Sequence, residues 1–102
     1  MKAVRKLKES TIEEHFCSGM ALAFPDAQIL KYEARRGEPD RICLLPGGKA
    51  VFVELKRPGK KPRSEQERAL ARLRNLGFGA HWVDTKDAAD KLIGQLVRRQ
   101  QE

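Results

Sequence analysis

Apolar residues recur along one side of a helix near the start of the chain: Ile12 is followed by Phe16, Met20 and Phe24 at helical spacing. Ser10-Thr11-Ile12-Glu13 has the Ser-x-x-Glu spacing of a capping box, which predicts a helix over 10–24 that Pro25-Asp26 stops. Weak alternation of apolar and polar residues over 28–33 predicts a strand, and Arg36-Gly37-Glu38-Pro39 a turn. Two apolar runs, 41–45 and 50–56, flank Pro46-Gly47-Gly48-Lys49 and read as a β-hairpin. Ser64-Glu65-Gln66-Glu67 repeats the capping spacing and opens a helix over 64–76, with Gly77 as its stop. Residues 78–83 read as a last strand, and Thr85 caps a final helix through 98. Trp82, Leu73, Leu76, Leu92 and Leu96 are assigned to the core. The order α-β-β-β-α-β-α gives a single α/β domain over 1–102, with residues 1–9 as a basic N-terminal arm.

Composition narrows the class. At 102 residues, 40% apolar and 34% charged, the chain can bury one modest core and has no low-complexity tract. Its longest stretch without Lys, Arg, Asp or Glu, 15–25, is about half of what a membrane span needs. The basic start (Lys2, Arg5, Lys6, Lys8) is not followed by the apolar segment of a secretory signal. Cys17 and Cys43 are too few for a disulfide framework or a metal cluster, and are expected as reduced, buried thiols in a cytoplasmic protein.

Charge adds a partner. The net charge of +7 suggests a polyanion, most often nucleic acid, because each neutralised phosphate releases counterions. Five of the eight residues over 56–63 are basic (Lys56, Arg57, Lys60, Lys61, Arg63), with no acid among them, and Arg35, Arg36 and Arg41 surround another turn. Such clusters track a phosphate backbone better than scattered charges, although a solvated basic face has the same composition.

Asp40, Glu54 and Lys56 carry the candidate chemistry. Side chains two apart on a strand share a face, so Glu54 and Lys56 point one way and Leu55 the other. Folding the hairpin about Gly47-Gly48 brings the Asp40 end of one strand beside the Glu54 end of the next. A two-residue turn would set Asp40 opposite Leu55; the carboxylates converge only if the turn is odd-numbered or the Asp40 end bulges or twists. Adjacent carboxylates repel unless a positive charge lies between them, a need that Mg²⁺ or Mn²⁺ meets. A surface salt bridge between Glu54 and Lys56 is the plain alternative. On the first helix, at about 100° per residue from Ile12, Glu13 falls at about 100° inside the apolar arc and Glu14 at about 200° outside it. An inward carboxylate needs a partner, so Glu13 is the candidate, unless it serves only to complete the capping box. Gln66 shares the buried face of its helix with Leu70 and Leu73, and lies at the helix N-terminus where anions are favoured. His15 and His81 have no metal-ligand spacing and read as structural or surface residues.

These residues together are similar to a known family. Pro39-Asp40, thirteen residues, then Glu54-Leu55-Lys56 resembles the PD-(D/E)XK signature of restriction-endonuclease-like nucleases. With Ser10-Thr11-Ile12-Glu13, Gly37-x-Pro39-Asp40-Arg41, Val51-Phe52-Val53-Glu54-Leu55-Lys56, Pro58-Gly59-Lys60-Lys61-Pro62, Gln66 and Leu73-x-x-Leu76-Gly77-Phe78, the match extends over about 10–85 and resembles the VRR-NUC (virus-type replication-repair nuclease) family. The resemblance implies a restriction-endonuclease-like αβββαβ core, a mixed sheet flanked by helices, here with an extra C-terminal helix. It implies that Asp40, Glu54 and the Leu55 carbonyl hold Mg²⁺ or Mn²⁺. Lys56 would stabilise the attacking water or the developing phosphorane charge, Gln66 matches the family's helix glutamine, and Glu13 is the best match to its helix-one acid. The family pattern leaves Glu9, Glu13 and Glu14 open for that last place. Glu38 departs from the small or apolar residue usual there.

The expected function is a metal-dependent DNA endonuclease of viral or bacterial type, cutting branched DNA such as four-way (Holliday) junctions in DNA repair. A homodimer is expected, with no membrane and no small-molecule cofactor. Arg35, Arg36, Arg41, Arg57, Lys60, Lys61 and Arg63 are the candidate DNA contacts. A catalytically silent DNA-binding module or partner subunit would carry the same charges, but would have no need for Asp40, Glu54, Lys56 and Gln66 together.

Overall fold

The computed structural model describes residues 7–32 and 39–102. Its elements are α1 (Glu9–Ala23), β1 (Gln28–Lys31), β2 (Arg41–Leu45), β3 (Lys49–Leu55), α2 (Ser64–Asn75), β4 (Gly79–Val83) and α3 (Lys86–Gln100). This is the order expected from the sequence. The predicted turn over 36–39 lies outside the described residues except for Pro39, and so do Arg35, Arg36 and Glu38.

The four strands form one sheet in chain order, with β1, β2 and β3 antiparallel and β4 parallel to β3. A parallel neighbour cannot be reached by a tight turn, and α2 makes that crossover. The β2–β3 pairing runs from Leu45↔Lys49 to Arg41↔Val53. Its loop is therefore Pro46-Gly47-Gly48, three residues, and both glycines adopt positive φ (84° and 75°), where a Cβ would be strained. The turn is odd-numbered. Continuing the register one step places Asp40 opposite Glu54.

Strand alternation then sorts the chain into two faces. Ile29, Cys43, Val51 and Val53 line up across the strands and, with Leu45 and Leu55, face α1 and α3. They close a dry core with Ile12, Phe16, Met20, Ala89, Leu92 and Leu96. Gly19 lets the two helices approach closely, since a Cβ there would lie 2.7 Å from Ile93 Cδ1. Among the described residues the opposite face is covered by α2, which buries Gln66, Ala69 and Leu70. Phe52 meets Phe78 edge to face at 5.5 Å. Beyond α2, Leu30, Leu44 and Phe78 on this face are each more than a third exposed, beside half-buried Ile42 and Phe52.

Three sequence expectations are corrected. Ser10 does not cap α1; the helix begins at Glu9 after Lys8, with no side-chain cap. The second helix is entered at Arg63 rather than capped by Ser64: the Arg63 N–H donates to Gln66 Oε1 at 2.8 Å. Leu76 is 73% exposed, because it follows the last turn of α2 instead of facing the sheet. Thr85 does cap α3, accepting from the Ala88 N–H at 2.9 Å. Both cysteines are free; Cys43 is buried and Cys17 half-buried.

Candidate active site

The site forms where the hairpin ends meet, at the C-terminal end of β3. Pro39 is fully buried and fixes the entry to β2. The Tyr32 N–H donates to the Asp40 carbonyl at 2.8 Å, and Asp40 Oδ2 accepts the Leu55 N–H at 2.9 Å. One carboxylate is thus pinned to the backbone of the residue next to the other. Glu54 is 3% exposed on the face covered by α2. Gln66 Nε2 donates to Glu54 Oε1 at 3.1 Å, while Gln66 Oε1 is taken by the Arg63 N–H. That second bond sets which end of the amide faces the glutamate. Lys56 Nζ lies 3.6 Å from Glu54 Oε1, with its side chain 10% exposed, and its N–H donates to the Val83 carbonyl at 2.8 Å. Asp40, Glu54, Lys56 and Gln66 are therefore gathered in one place.

The charges are not balanced. Glu54 is pushed up to about 8, first by burial, then by the charge of Asp40 and a hydrogen bond with its carboxyl, against the pull of Lys56. Glu9 acts on it too, in the same upward direction. Glu9 itself is raised, by desolvation first and by Asp40 next, with Lys56 opposing. When Glu54 is ionised, its Oε2 is a buried oxygen with no donor in reach. A proton shared with Asp40 relieves this, and so would a cation. The available donors are carboxylate and carbonyl oxygens, the kind that Mg²⁺ and Mn²⁺ prefer. No group of three or more His, Cys, Asp or Glu arranged to hold a metal is present among the described residues, so a cation here would need the Leu55 carbonyl, water or phosphate to complete its shell.

Two candidates from the sequence are placed elsewhere. Glu13 Oε2 pairs with Arg41 Nε at 2.9 Å, and both side chains are about one-fifth exposed. Glu13 faces inward as the helical phase requires, but over β2 rather than over the carboxylates. Arg41 makes that pair on the face away from α2. The acid of α1 that reaches the site electrostatically is Glu9. It falls at about 60° on the same helical wheel, inside the apolar arc. Helical phase weighed only Glu13 against Glu14, while the family pattern kept Glu9 open beside them.

Arg57, Lys60, Lys61 and Arg63 are exposed around the exit of β3, as their Pro- and Gly-rich context suggested. Between the 57–60 segment and the start of α1 lies a groove of about 490 Å³, walled by Leu7, Lys8 and Glu9 on its other side.

No family model matches the chain. Over 89 residues it is 39% identical to "Putative nuclease p44" of Acyrthosiphon pisum secondary endosymbiont phage 1, covering 87% of this chain and 96% of that protein. Among solved structures it is similar to one described as a VRR_NUC domain, with a TM-score of 0.73 and 30% identity, covering 84% of this chain and 94% of that one. The chain belongs to the VRR-NUC nuclease family. Its four-stranded mixed sheet and three helices are the restriction-endonuclease-like fold of that family. Within this VRR-NUC chain, no helix among the described residues is long and apolar enough to cross a membrane.

Proposed function

We propose that this VRR-NUC chain is a Mg²⁺- or Mn²⁺-dependent DNA endonuclease of the PD-(D/E)XK kind that hydrolyses phosphodiester bonds in branched DNA such as four-way junctions. The observation that carries the reading is the pair Asp40 and Glu54 with a buried, unmatched Glu54 oxygen beside it. Asp40, Glu54 and the Leu55 carbonyl would hold the cation, with Glu9 in the place of the helix-one acid. The bound cation would supply an activated water and neutralise charge on the phosphate.

The protein's own groups do the rest. Gln66 turns Glu54 so that Oε1 is satisfied and Oε2 is left for a ligand. The Leu55 N–H holds Asp40 still, which removes the reorganisation that a free carboxylate would require. Lys56 carries a fixed positive charge at the same carboxylate and stabilises charge developing on the attacking water and the phosphate. The basic exit of β3 faces the substrate backbone, with Arg57, Lys60, Lys61 and Arg63 as contacts.

The exposed apolar side of the sheet supports a homodimer. Leu30, Leu44 and Phe78 lie beyond the cover of α2, and a second copy seated there would shield them and supply a second site for a branched substrate. An intracellular setting, viral or bacterial, fits the free cysteines.

The test is cleavage of duplex, flap, splayed and four-way DNA with Mg²⁺ or Mn²⁺. Wild type should cut a branched substrate in preference to duplex. Asp40→Asn should abolish cutting and leave DNA binding intact, since it removes a ligand and no phosphate contact. Wild-type rates from Asp40→Asn would overturn the site, and equal rates on all four substrates would overturn the selectivity.

A further inference from the structure

Asp84 is an acid beside the basic exit of β3, on the side where DNA is expected, and it has no part in the chemistry described above. Its chain neighbours on both sides are held by hydrogen bonds. Val83 is paired with Leu55 and accepts the Lys56 N–H. Thr85 caps α3. Asp84 is thus held between a paired strand and a capped helix. From there its Oδ2 accepts the Gly59 N–H at 3.3 Å.

The segment it holds is a tight turn. The Lys60 N–H donates to the Arg57 carbonyl at 3.0 Å, Pro58 stands at the second position and Gly59 at the third with φ of 81°. This is the signature of a type II turn. The turn is one wall of the 490 Å³ groove that faces Lys8 and Glu9, and it presents Arg57 and Lys60 at its two ends. Leu7 and Pro58 add apolar surface to the same groove. Cations together with apolar surface suit a nucleotide, whose phosphate and sugar need both.

We propose that Asp84 is a positioning residue for DNA: it fixes the 57–60 turn as a preformed wall, so that the groove receives a nucleotide of the strand beside the cut. The inference rests on the nuclease reading and adds a sign that charge alone would not give. Removing an acid from a DNA-facing surface should tighten binding by simple electrostatics. Here it loosens binding, because the ordering of Arg57 and Lys60 must then be supplied when DNA arrives.

The experiment measures affinity for a fluorescent splayed duplex in EDTA over a series of salt concentrations, and turnover of the same DNA with Mg²⁺. Asp84→Ala should weaken binding about five-fold, the loss typical of one hydrogen bond, and raise KM with kcat unchanged. Its salt slope should stay as in wild type, because Arg57 and Lys60 still reach phosphate in the complex and only their ordering has become costly. Asp84→Asn keeps an acceptor oxygen and should bind as wild type or tighter. Gly59→Ala attacks the turn from the other side: nothing lies within 4 Å of a new Cβ, so its effect is conformational, and it should copy Asp84→Ala. Because Gly59 is exposed, this variant keeps the test available if Asp84→Ala disturbs the start of α3. Tighter or unchanged binding by Asp84→Ala, or by Gly59→Ala, overturns the inference. A wild-type chain that binds no DNA would instead overturn the nuclease reading.

Discussion

At its C-terminal end β3 is buried to similar depth on both sides, and the two sides are filled in opposite ways. On one side Val51, Val53 and Leu55, at most 6% exposed, join the apolar cluster formed with α1 and α3. On the other, Glu54 and Lys56, 3% and 8% exposed, meet Gln66, Asp40 and each other. The dry side gains free energy from every contact it closes. The polar side loses solvation and recovers it incompletely, as the lone Glu54 Oε2 records. One strand therefore carries both apolar packing and the candidate site. The comparison locates where stability has been given up, and that is where ligands and substrate are expected.

Removing Lys56 tests the polar side most sharply. Lys56→Ala should lower turnover by on the order of a hundredfold, the usual cost of one electrostatic stabiliser. It should also move the pH–rate profile to higher pH, since Lys56 is the group that pulls Glu54 downward. A variant that cuts at nearly the wild-type rate and only melts earlier would reduce Lys56 to a salt-bridge partner.

The two acids of α1 sharpen the boundary between the sides. Glu9→Gln should cost on the order of tenfold in activity or metal affinity, as removal of a supporting carboxylate commonly does. Glu13→Gln should leave turnover alone and cost at most ~1 kcal/mol of stability, because its partner is the half-buried Arg41. The reverse order in a side-by-side assay would return the helix-one role to Glu13.

The smallest expected effect is on melting without metal. Glu54 titrates at about 8 in the folded protein and at about 4.5 when unfolded. Between those values the folded chain keeps a proton that the unfolded chain has lost, so stability falls as pH rises toward 8 and is level beyond. Glu9, raised as well, acts in the same direction, whereas His81, lowered by burial and by Arg74 and Arg99, acts in the opposite one. The readout is accordingly the difference between wild type and Glu54→Gln. The variant should melt several degrees higher at pH 8 and about equally at pH 4.5. A difference that does not change with pH would mean that the buried carboxylate carries no strain.

Much of this was legible in the residues because punctuation is local. Pro46-Gly47-Gly48 marked the hairpin and Thr85 the last helix, since positive φ and caps depend on nearest neighbours alone. Gln66 was legible as an inward-facing polar residue, because it shares an apolar stripe with Leu70 and Leu73; its partner Glu54 was not, since that contact is tertiary. The start of α1 was not legible: Ser10 and Glu13 satisfy a capping box by spacing, and only tertiary contact shows that Glu13 is taken by Arg41. For the same reason the pairing of Arg41 with Glu13 was not legible until the strand face was known. Leu76 failed as a core residue because periodicity does not reveal where a helix leaves its sheet.

The three-residue loop at the far end of the hairpin has a consequence for how this gene can change. It lies roughly 17 Å from the carboxylates, and although nothing lies within 4 Å of either glycine's would-be Cβ, the positive φ of Gly47 and Gly48 makes substitution there strained. Its length is another matter. A residue added there is absorbed by the loop itself, which lengthens while Asp40 stays opposite Glu54. A residue added inside β2 or β3 would instead slide one strand against the other by one place, carry Asp40 away from Glu54 and turn aliphatic residues outward. Codons added one to each strand would only lengthen the ribbon. The two acids thus fix the lengths of the strands that join them to a loop they never touch.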